Sequence, residues 1–443
     1  MHFTTTSAWA TALAYVTLIC HSYAFRNVIW HLDITTDLSL TMGITHVVIA
    51  FVDPIQFSTN AQPPSPPILP VGDVRGRFDH TAKIGISLGG WGSFSTSFGL
   101  VSTEENRTAF AANLATWVEQ QGYDFVDIDW EYPGGNGAGT PTNATAEIEN
   151  FPLLLGAIKQ ELKDRFITLS VAGTPAGMEA FKSAEQTKSI WDAVDFITVM
   201  AYDFINRASN TTGHHTDFVG SELAVQRYID LGLPADKINL GFAFYAKYFE
   251  VEETCTKCML PSGCPILPAQ NSSGADTYKS GVLTFTSRNM EPPNVLPTLT
   301  ESPNGACGYN NGTFTDYKCP GSSCCSESGW CGDEVAHCVP NCQFGYGRCD
   351  GPDVIASFER ARENFMYDQQ NGGVWYFDET TSPKLFWTWE TIDTMTLKFY
   401  EIANSPKYNL GGISAWSLGE NSGGFEYVRR LQNLTSLLPA PHP

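Results

Sequence analysis

The 443-residue chain carries 26 Lys and Arg against 47 Asp and Glu, a formal charge of −21, which repels phosphate backbones and anionic membrane surfaces. Hydrophobic residues make up 42% and charged residues only 16%; this excludes a disordered or coiled-coil protein and supplies a sizeable core. Of the 12 cysteines one is Cys20 and all others fall between 255 and 349, so a scaffold without cysteine carries a small cysteine-dense piece.

The first feature in chain order is an apolar run from Ala10 to Cys20, followed by Ser22 and Ala24 in an A-x-A-like cleavage pattern. The run is well short of the ~20 apolar residues of a membrane span. It predicts a signal peptide over 1–24, hence a secreted, extracellular chain with no membrane partner. Export gives meaning to the Asn-x-Ser/Thr sequons at Asn106, Asn143, Asn210, Asn271, Asn311 and Asn433, candidate glycosylation sites expected at the surface.

Strand-like apolar runs follow at 28–30, 45–51, 83–88, 125–130, 167–172, 196–201, 238–244 and 412–417. Several are nearly continuous, as in parallel strands covered on both faces. Helical stretches lie between them. Ser102-x-x-Glu105 reads as a capping box opening a helix that runs to Gly122. Others are expected over 148–163 and 222–231, the last stopped by Gly232 and Pro234. Alternation of this kind predicts an α/β fold, a (β/α)8 TIM barrel, with a doubly wound open sheet as the alternative that periodicity leaves open.

A barrel takes roughly 250 residues, and most of the surplus lies between the seventh and eighth runs. The expected organisation is a discontinuous barrel domain over 25–250 and 375–436, with 251–374 inserted between strands 7 and 8.

The strongest chemical signal is Asp124-Phe125-Val126-Asp127-Ile128-Asp129-Trp130-Glu131. Side chains alternate across a strand, so Asp127, Asp129 and Glu131 share one face and Val126, Ile128 and Trp130 the other. Three neighbouring carboxylates inside a barrel coexist only by sharing protons, which raises at least one pKa and prepares a general acid. A solvated edge strand fits poorly, because the opposite face is equally apolar. A metal site is disfavoured because no His accompanies the acids and the spacing matches no common metal loop; no metal or cofactor is expected. Asp124 is out of phase and is assigned a structural role at the start of the strand.

D-x-x-D-x-D-x-E resembles the signature of glycoside hydrolase family 18, the chitinases. Ser87-Leu88-Gly89-Gly90-Trp91 resembles its S-x-G-G motif, Met200-Ala201-Tyr202-Asp203 its M-x-Y-D motif, and Gly411 to Trp416 its eighth strand. Gly241 to Lys247 resembles the seventh-strand G-x-P-x-Y-G-R, with departures at Ala243, Ala246 and Lys247. The resemblance implies that Glu131 protonates the glycosidic oxygen while the substrate's own acetamido oxygen attacks the anomeric carbon, the family being a substrate-assisted exception among glycosidases. It also implies that Asp129 orients the acetamide, Asp127 shares its proton and Tyr202 donates to the acetamide oxygen. Asp203, Met200, Tyr132 and Trp416 would contact substrate, Trp416 as an apolar floor, and Trp91 would line the cleft or belong to the core.

Eight cysteines between 307 and 349 form a segment too short to bury much core, so crosslinks must hold it. Adjacent Cys324-Cys325 and a single His337 argue against zinc. With Cys324-Cys325-Ser326 and Gly329-Trp330-Cys331-Gly332, the 305–350 segment resembles the hevein-like chitin-binding module. That resemblance implies disulfides among Cys307, Cys319, Cys324, Cys325, Cys331, Cys338, Cys342 and Cys349, and sugar contact by Ser326 and Trp330. Ser328 and His337 stand where two further aromatics are expected. Cys255, Cys258 and Cys264 remain as an odd trio.

The reading is a secreted, monomeric, fungal-looking endochitinase that retains anomeric configuration, with chitin or N-acetylglucosamine oligomers as partner and no nucleic acid. A non-catalytic chitin lectin and an endo-β-N-acetylglucosaminidase on the same fold are the alternatives.

Overall fold

A computed structural model describes residues 25–31, 41–58, 70–135, 137, 141, 143–182, 184–260, 262–272, 274–292, 298–339, 341–421 and 426–438. The expected signal peptide and Cys20 lie outside them. Seven parallel strands run in order, β1 (Arg26–His31), β2 (His46–Val52), β3 (Lys83–Gly89), β4 (Phe125–Asp129), β5 (Phe166–Ala172), β6 (Phe196–Met200) and β7 (Ile238–Ala243). An eighth, Gly412–Trp416, closes the barrel by pairing with β7 on one side and β1 on the other. The open-sheet alternative is thereby excluded.

The nearly continuous apolar runs follow from double burial. Val126 and Ile128 join the main core beneath the helices, whereas Val28, Trp30, Val48, Phe125 and Phe196 fill the barrel interior. Burying a large aliphatic or aromatic side chain contributes roughly 1.5–3 kcal/mol, so this double packing fixes which face of β4 points inward. Asp127 and Asp129 therefore sit on the interior face, in the layer above Phe125.

The capping-box expectation is corrected. Ser102 ends the helix Ser93–Val101 as its C-cap, and the next helix, Arg107–Gln121, starts after Asn106 and ends at Gly122 with φ 81°. The other two expected helices are present over Ala144–Leu162 and Phe218–Asp230. Asp124 receives Arg75 at 3.0 Å and the Ile84 N–H at 2.8 Å, anchoring the start of β4.

Between β7 and the closing strand the chain builds a five-stranded antiparallel sheet. Its strands are β8 (Tyr245–Glu250) and β9 (Ser280–Thr284), with Met366–Asp368, Gly373–Asp378 and Leu385–Trp389. Residues 245–250 and 375–389 thus pair within this sheet rather than in the barrel, where the sequence reading places them. Strands of both kinds are apolar runs of similar length, and only pairing separates them.

The cysteine-dense unit hangs from this sheet. It is held by Cys307–Cys325, Cys319–Cys331, Cys324–Cys338 and Cys342–Cys349, whose sulfurs form most of its two small cores. Cys255–Cys264 is bridged and Cys258 is a buried free thiol. Asn143, Asn210, Asn271, Asn311 and Asn433 are exposed and Asn106 is half-buried. Among the described residues no helix is long and apolar enough to cross a membrane.

Candidate active site

The C-terminal ends of β3, β4, β6 and the closing strand and the start of β8 converge on one cleft. Two glycines let β3 approach. Gly89 has φ 102° and any Cβ there would lie 2.2 Å from the Asp129 carbonyl oxygen, while a Cβ on Gly90 would lie 2.7 Å from the Phe51 ring. The Gly90 N–H donates to Asp129 O at 2.9 Å, tying the two strand ends together.

The three in-phase acids have three different environments. Asp127, 1% exposed, accepts from Ser87 Oγ at 2.8 Å, Thr168 Oγ1 at 2.7 Å and Ser170 Oγ at 3.1 Å. Burial raises its pKa and these hydroxyls oppose the rise. Asp129 is buried and its Oδ1 has no hydrogen-bond partner. Burial, then the Glu131 and Asp127 charges, push its pKa well above the usual carboxylate range. Glu131, just past the end of β4, is half-buried and its N–H donates to Ser95 Oγ. Burial and the nearby Asp203 charge raise its pKa to about 8, against the opposing hydrogen bond with Tyr132 and the Lys247 charge.

Asp203 behaves oppositely. Its side chain is about half exposed; partial desolvation favours the neutral form, but Lys247 Nζ at 2.7 Å and His215 Nδ1 at 3.6 Å outweigh that and hold its pKa well below the usual range. Its Oδ1 also accepts from Tyr245 OH at 2.8 Å, and its backbone is left-handed, φ 58°. The site therefore sets acids with raised pKa values, on and just past β4, against one with a lowered pKa after β6, separated by environment rather than residue type.

Tyr202 packs edge-on against Tyr245, ring centroids 6.1 Å apart. Burial and then the Asp129 and Asp203 charges push its pKa well above that of free tyrosine, so its hydroxyl stays a donor. Trp416 stacks on Phe51, centroids 5.4 Å apart and planes inclined 19°. Met200 is buried at the end of β6, and Tyr132 is half-buried. Trp91 is 52% exposed, so it is not a core aromatic.

The sequence motifs missed Lys247 as an ion partner, together with His215, Tyr245, Glu420 and Phe51. Lys247 was visible only as a departure from a motif arginine and Tyr245 only as that motif's tyrosine; the other three carry no local pattern. In the cysteine-dense unit Trp330 is 45% exposed, but Ser326 is buried. Its Oγ accepts from Trp330 N–H at 3.1 Å and lies 3.1 Å from Ser328 Oγ, so the hydroxyl expected at a sugar is turned inward.

The chain is 33% identical over 220 residues to Chitinase 1 of Aphanocladium album, covering 45% of this chain and 47% of that protein. It is 28% identical over 219 residues to mouse Chitotriosidase-1, covering 45% of each. It thus spans about half the length of these curated relatives. Among solved structures, a chitinase from Rhizomucor miehei superposes with TM-score 0.60 at 16% identity, covering 92% of this chain and 99% of that one. Class V chitinase from Nicotiana tobaccum gives 0.59 at 16% identity, covering 93% and 99%. These structural likenesses establish the barrel fold. The motif order, the barrel and the strand of acids coincide with a match of residues 21–421 to the model of glycosyl hydrolases family 18, and the chain belongs to that family.

Proposed function

We propose that this chain is a secreted chitinase that cleaves β-1,4-linked N-acetylglucosamine polymers with retention, by substrate-assisted catalysis. Glu131, protonated near neutrality, gives its proton to the glycosidic oxygen as the bond to the anomeric carbon breaks. The neighbouring acetamido oxygen attacks that carbon and forms a cyclic oxazolinium ion. Asp129 accepts the acetamide N–H and stabilises the positive charge, with Asp127 sharing its proton, while the Tyr202 hydroxyl donates to the acetamide oxygen. Asp203 holds the sugar and Trp416 floors the cleft. Water activated by Glu131, now ionised, then opens the ring of the intermediate.

The observation that carries this reading is the unpartnered, buried Asp129 Oδ1 beside a Glu131 whose pKa is raised to about 8. An acid able to donate and an acceptor without a partner are the two groups a neighbouring acetamide requires. The lectin alternative would need Glu131 or Asp129 to be lost, and both are present. Export is supported by the five disulfides, which persist in oxidising compartments.

The test is hydrolysis of N-acetylglucosamine oligomers against release of glycan from a high-mannose glycoprotein, with Glu131→Gln as control. Cleavage of the oligomers by the parent alone supports the reading. Activity confined to the glycoprotein would assign the site to N-glycans instead, and a Glu131→Gln variant as fast as the parent would overturn the mechanism.

A further inference from the structure

A lysine and a glutamate pair deep in the fold and have no role in the chemistry above. Lys398 Nζ lies 2.6 Å from Glu390 Oε2, and each side chain is 1% exposed. Glu390 directly follows the strand Leu385–Trp389, and Lys398 ends the helix Ile392–Lys398. The Thr394 hydroxyl donates to Glu390 Oε1 at 2.5 Å. Exchanging a buried ion pair for apolar side chains of similar size is often neutral or stabilising. Stability alone therefore gives little reason for this pair, and what it holds is more informative.

It holds Thr216. Lys398 Nζ donates to Thr216 Oγ1 at 2.5 Å. That hydroxyl, on a residue 1% exposed, lies 3.1 Å from both Glu390 Oε2 and the carbonyl oxygen of Ala201. A hydroxyl has one proton to give. Glu390 already receives Lys398 on one oxygen and Thr394 on the other, so the Thr216 proton is available to Ala201. Ala201 immediately precedes Tyr202 and Asp203. His215, next to Thr216, sets its Nδ1 3.6 Å from Asp203, and its carbonyl accepts from the Phe204 N–H at 3.1 Å. The His215 N–H donates to Thr388 Oγ1 at 3.2 Å, which ties it to the same strand that leads into Glu390.

We propose that Thr216 is a positioning residue: its hydroxyl, oriented by the buried Lys398–Glu390 pair, holds the Ala201 carbonyl and so fixes where Tyr202 presents its own hydroxyl to the acetamide oxygen. The inference rests on the proposed chitinase chemistry. β6 ends at Met200, and the Ala201 N–H turns back to Val199 O at 2.8 Å. Past that point the strand ladder no longer sets the backbone, and the bond from Thr216 does. Serine can make the same bond; valine, of the same shape as threonine, cannot.

The experiment compares Thr216→Val and Thr216→Ser in the full chain, each also combined with Tyr202→Phe, by steady-state hydrolysis of an N-acetylglucosamine tetramer and thermal unfolding. Small displacements at a reacting centre cost up to about a hundredfold in rate. Thr216→Val should lose at least about tenfold in kcat with a smaller change in KM, because the Tyr202 hydroxyl acts on the attacking oxygen. Thr216→Ser, which keeps the hydroxyl, should stay within about threefold of the parent. In the Tyr202→Phe background Thr216→Val should cost less than about threefold further, since its effect runs through the hydroxyl already removed. The inference is overturned if Thr216→Val matches the parent in kcat per folded molecule, or if Thr216→Ser falls as far as Thr216→Val. It is also overturned if Thr216→Val costs as much in the Tyr202→Phe background, or if it only prevents folding. A parent that cleaves no tetramer would instead refute the chitinase reading, and the inference with it.

Discussion

Glu131→Gln should abolish hydrolysis and at the same time stabilise the fold, and the stabilisation should depend on pH. In the unfolded chain Glu131 ionises with its ordinary pKa of 4.5; in the folded chain burial and Asp203 hold it at about 8. The folded state therefore keeps a proton that the unfolded state has released. Stability from this group is fully present below pH 4.5 and is lost progressively as pH rises through 8. At pH 7 the gap from 4.5 corresponds to about 3 kcal/mol at 1.36 kcal/mol per pKa unit. Glutamine has the same shape and does not titrate, so it escapes that loss. Thermal unfolding of parent and variant from pH 4 to pH 9 should give equal midpoints near pH 4 and a variant several degrees more stable at pH 7. A difference independent of pH, or a destabilised variant at pH 7, would refute the assignment of a buried, protonated acid at this position. The same pKa sets the alkaline limb of parental activity: kcat/KM should fall about tenfold per pH unit above about pH 8.

Asp129→Asn removes the charge that steadies the intermediate and should lower kcat by about 10²–10³ with little change in KM, read by steady-state kinetics. Lys247→Met takes away the cation 2.7 Å from Asp203; the Asp203 pKa should climb, and activity should fail at a higher pH on the acid side than in the parent. Denatured but unreduced protein lacking residues 1–24 should take up one thiol label per chain, at Cys258, and native protein none, since Cys258 is buried and the other described cysteines are bridged. Two or more labels would refute the pairing.

The barrel was legible because each of its strands is buried on both faces, and an uninterrupted apolar run records that directly. All eight runs coincide with observed strands to within two residues at either end. The β4 acids were legible for a related reason: the chemistry lies on one strand, so a period of two displays it. Asp203's environment was not, because Tyr245 and Lys247 reach it from β8 and His215 from a different segment, both remote in sequence from the β4 acids. No spacing in the chain encodes that meeting. Glu420 was hidden similarly, on an irregular turn where no periodicity applies. The Ser102 reading failed because Ser-x-x-Glu is a local pattern, while the preceding apolar stretch Ser93–Val101 has its own claim to be helical and uses Ser102 as its end.

The cysteine-dense unit carries the same lesson about contacts. Its resemblance to a sugar-binding module drew attention to Ser326 and Trp330, yet the loop they bracket is engaged by the neighbouring sheet region. Arg288, nearly buried, donates to both the backbone oxygen and the carboxylate of Glu327, the carboxylate bond being 2.7 Å. On the other side Asn341 joins Tyr248 OH at 3.2 Å and Val282 O at 2.9 Å. A unit with so little apolar core gains its internal rigidity from disulfides, but disulfides within it cannot fix its attitude to the barrel. The polar contacts across the junction must do that. Hydrogen bonds to a charged group contribute roughly 1.5–3 kcal/mol each when buried, less when solvent reaches them, and the half-exposed Glu327 carboxylate belongs to the weaker end. Arg288→Ala should therefore loosen the junction without unfolding either part. Limited proteolysis should then cut near 293–303 several times faster than in the parent, while the four internal disulfides keep the unit itself resistant. Unchanged cutting there would mean that the junction is held by its apolar contacts and that Arg288 contributes nothing to docking.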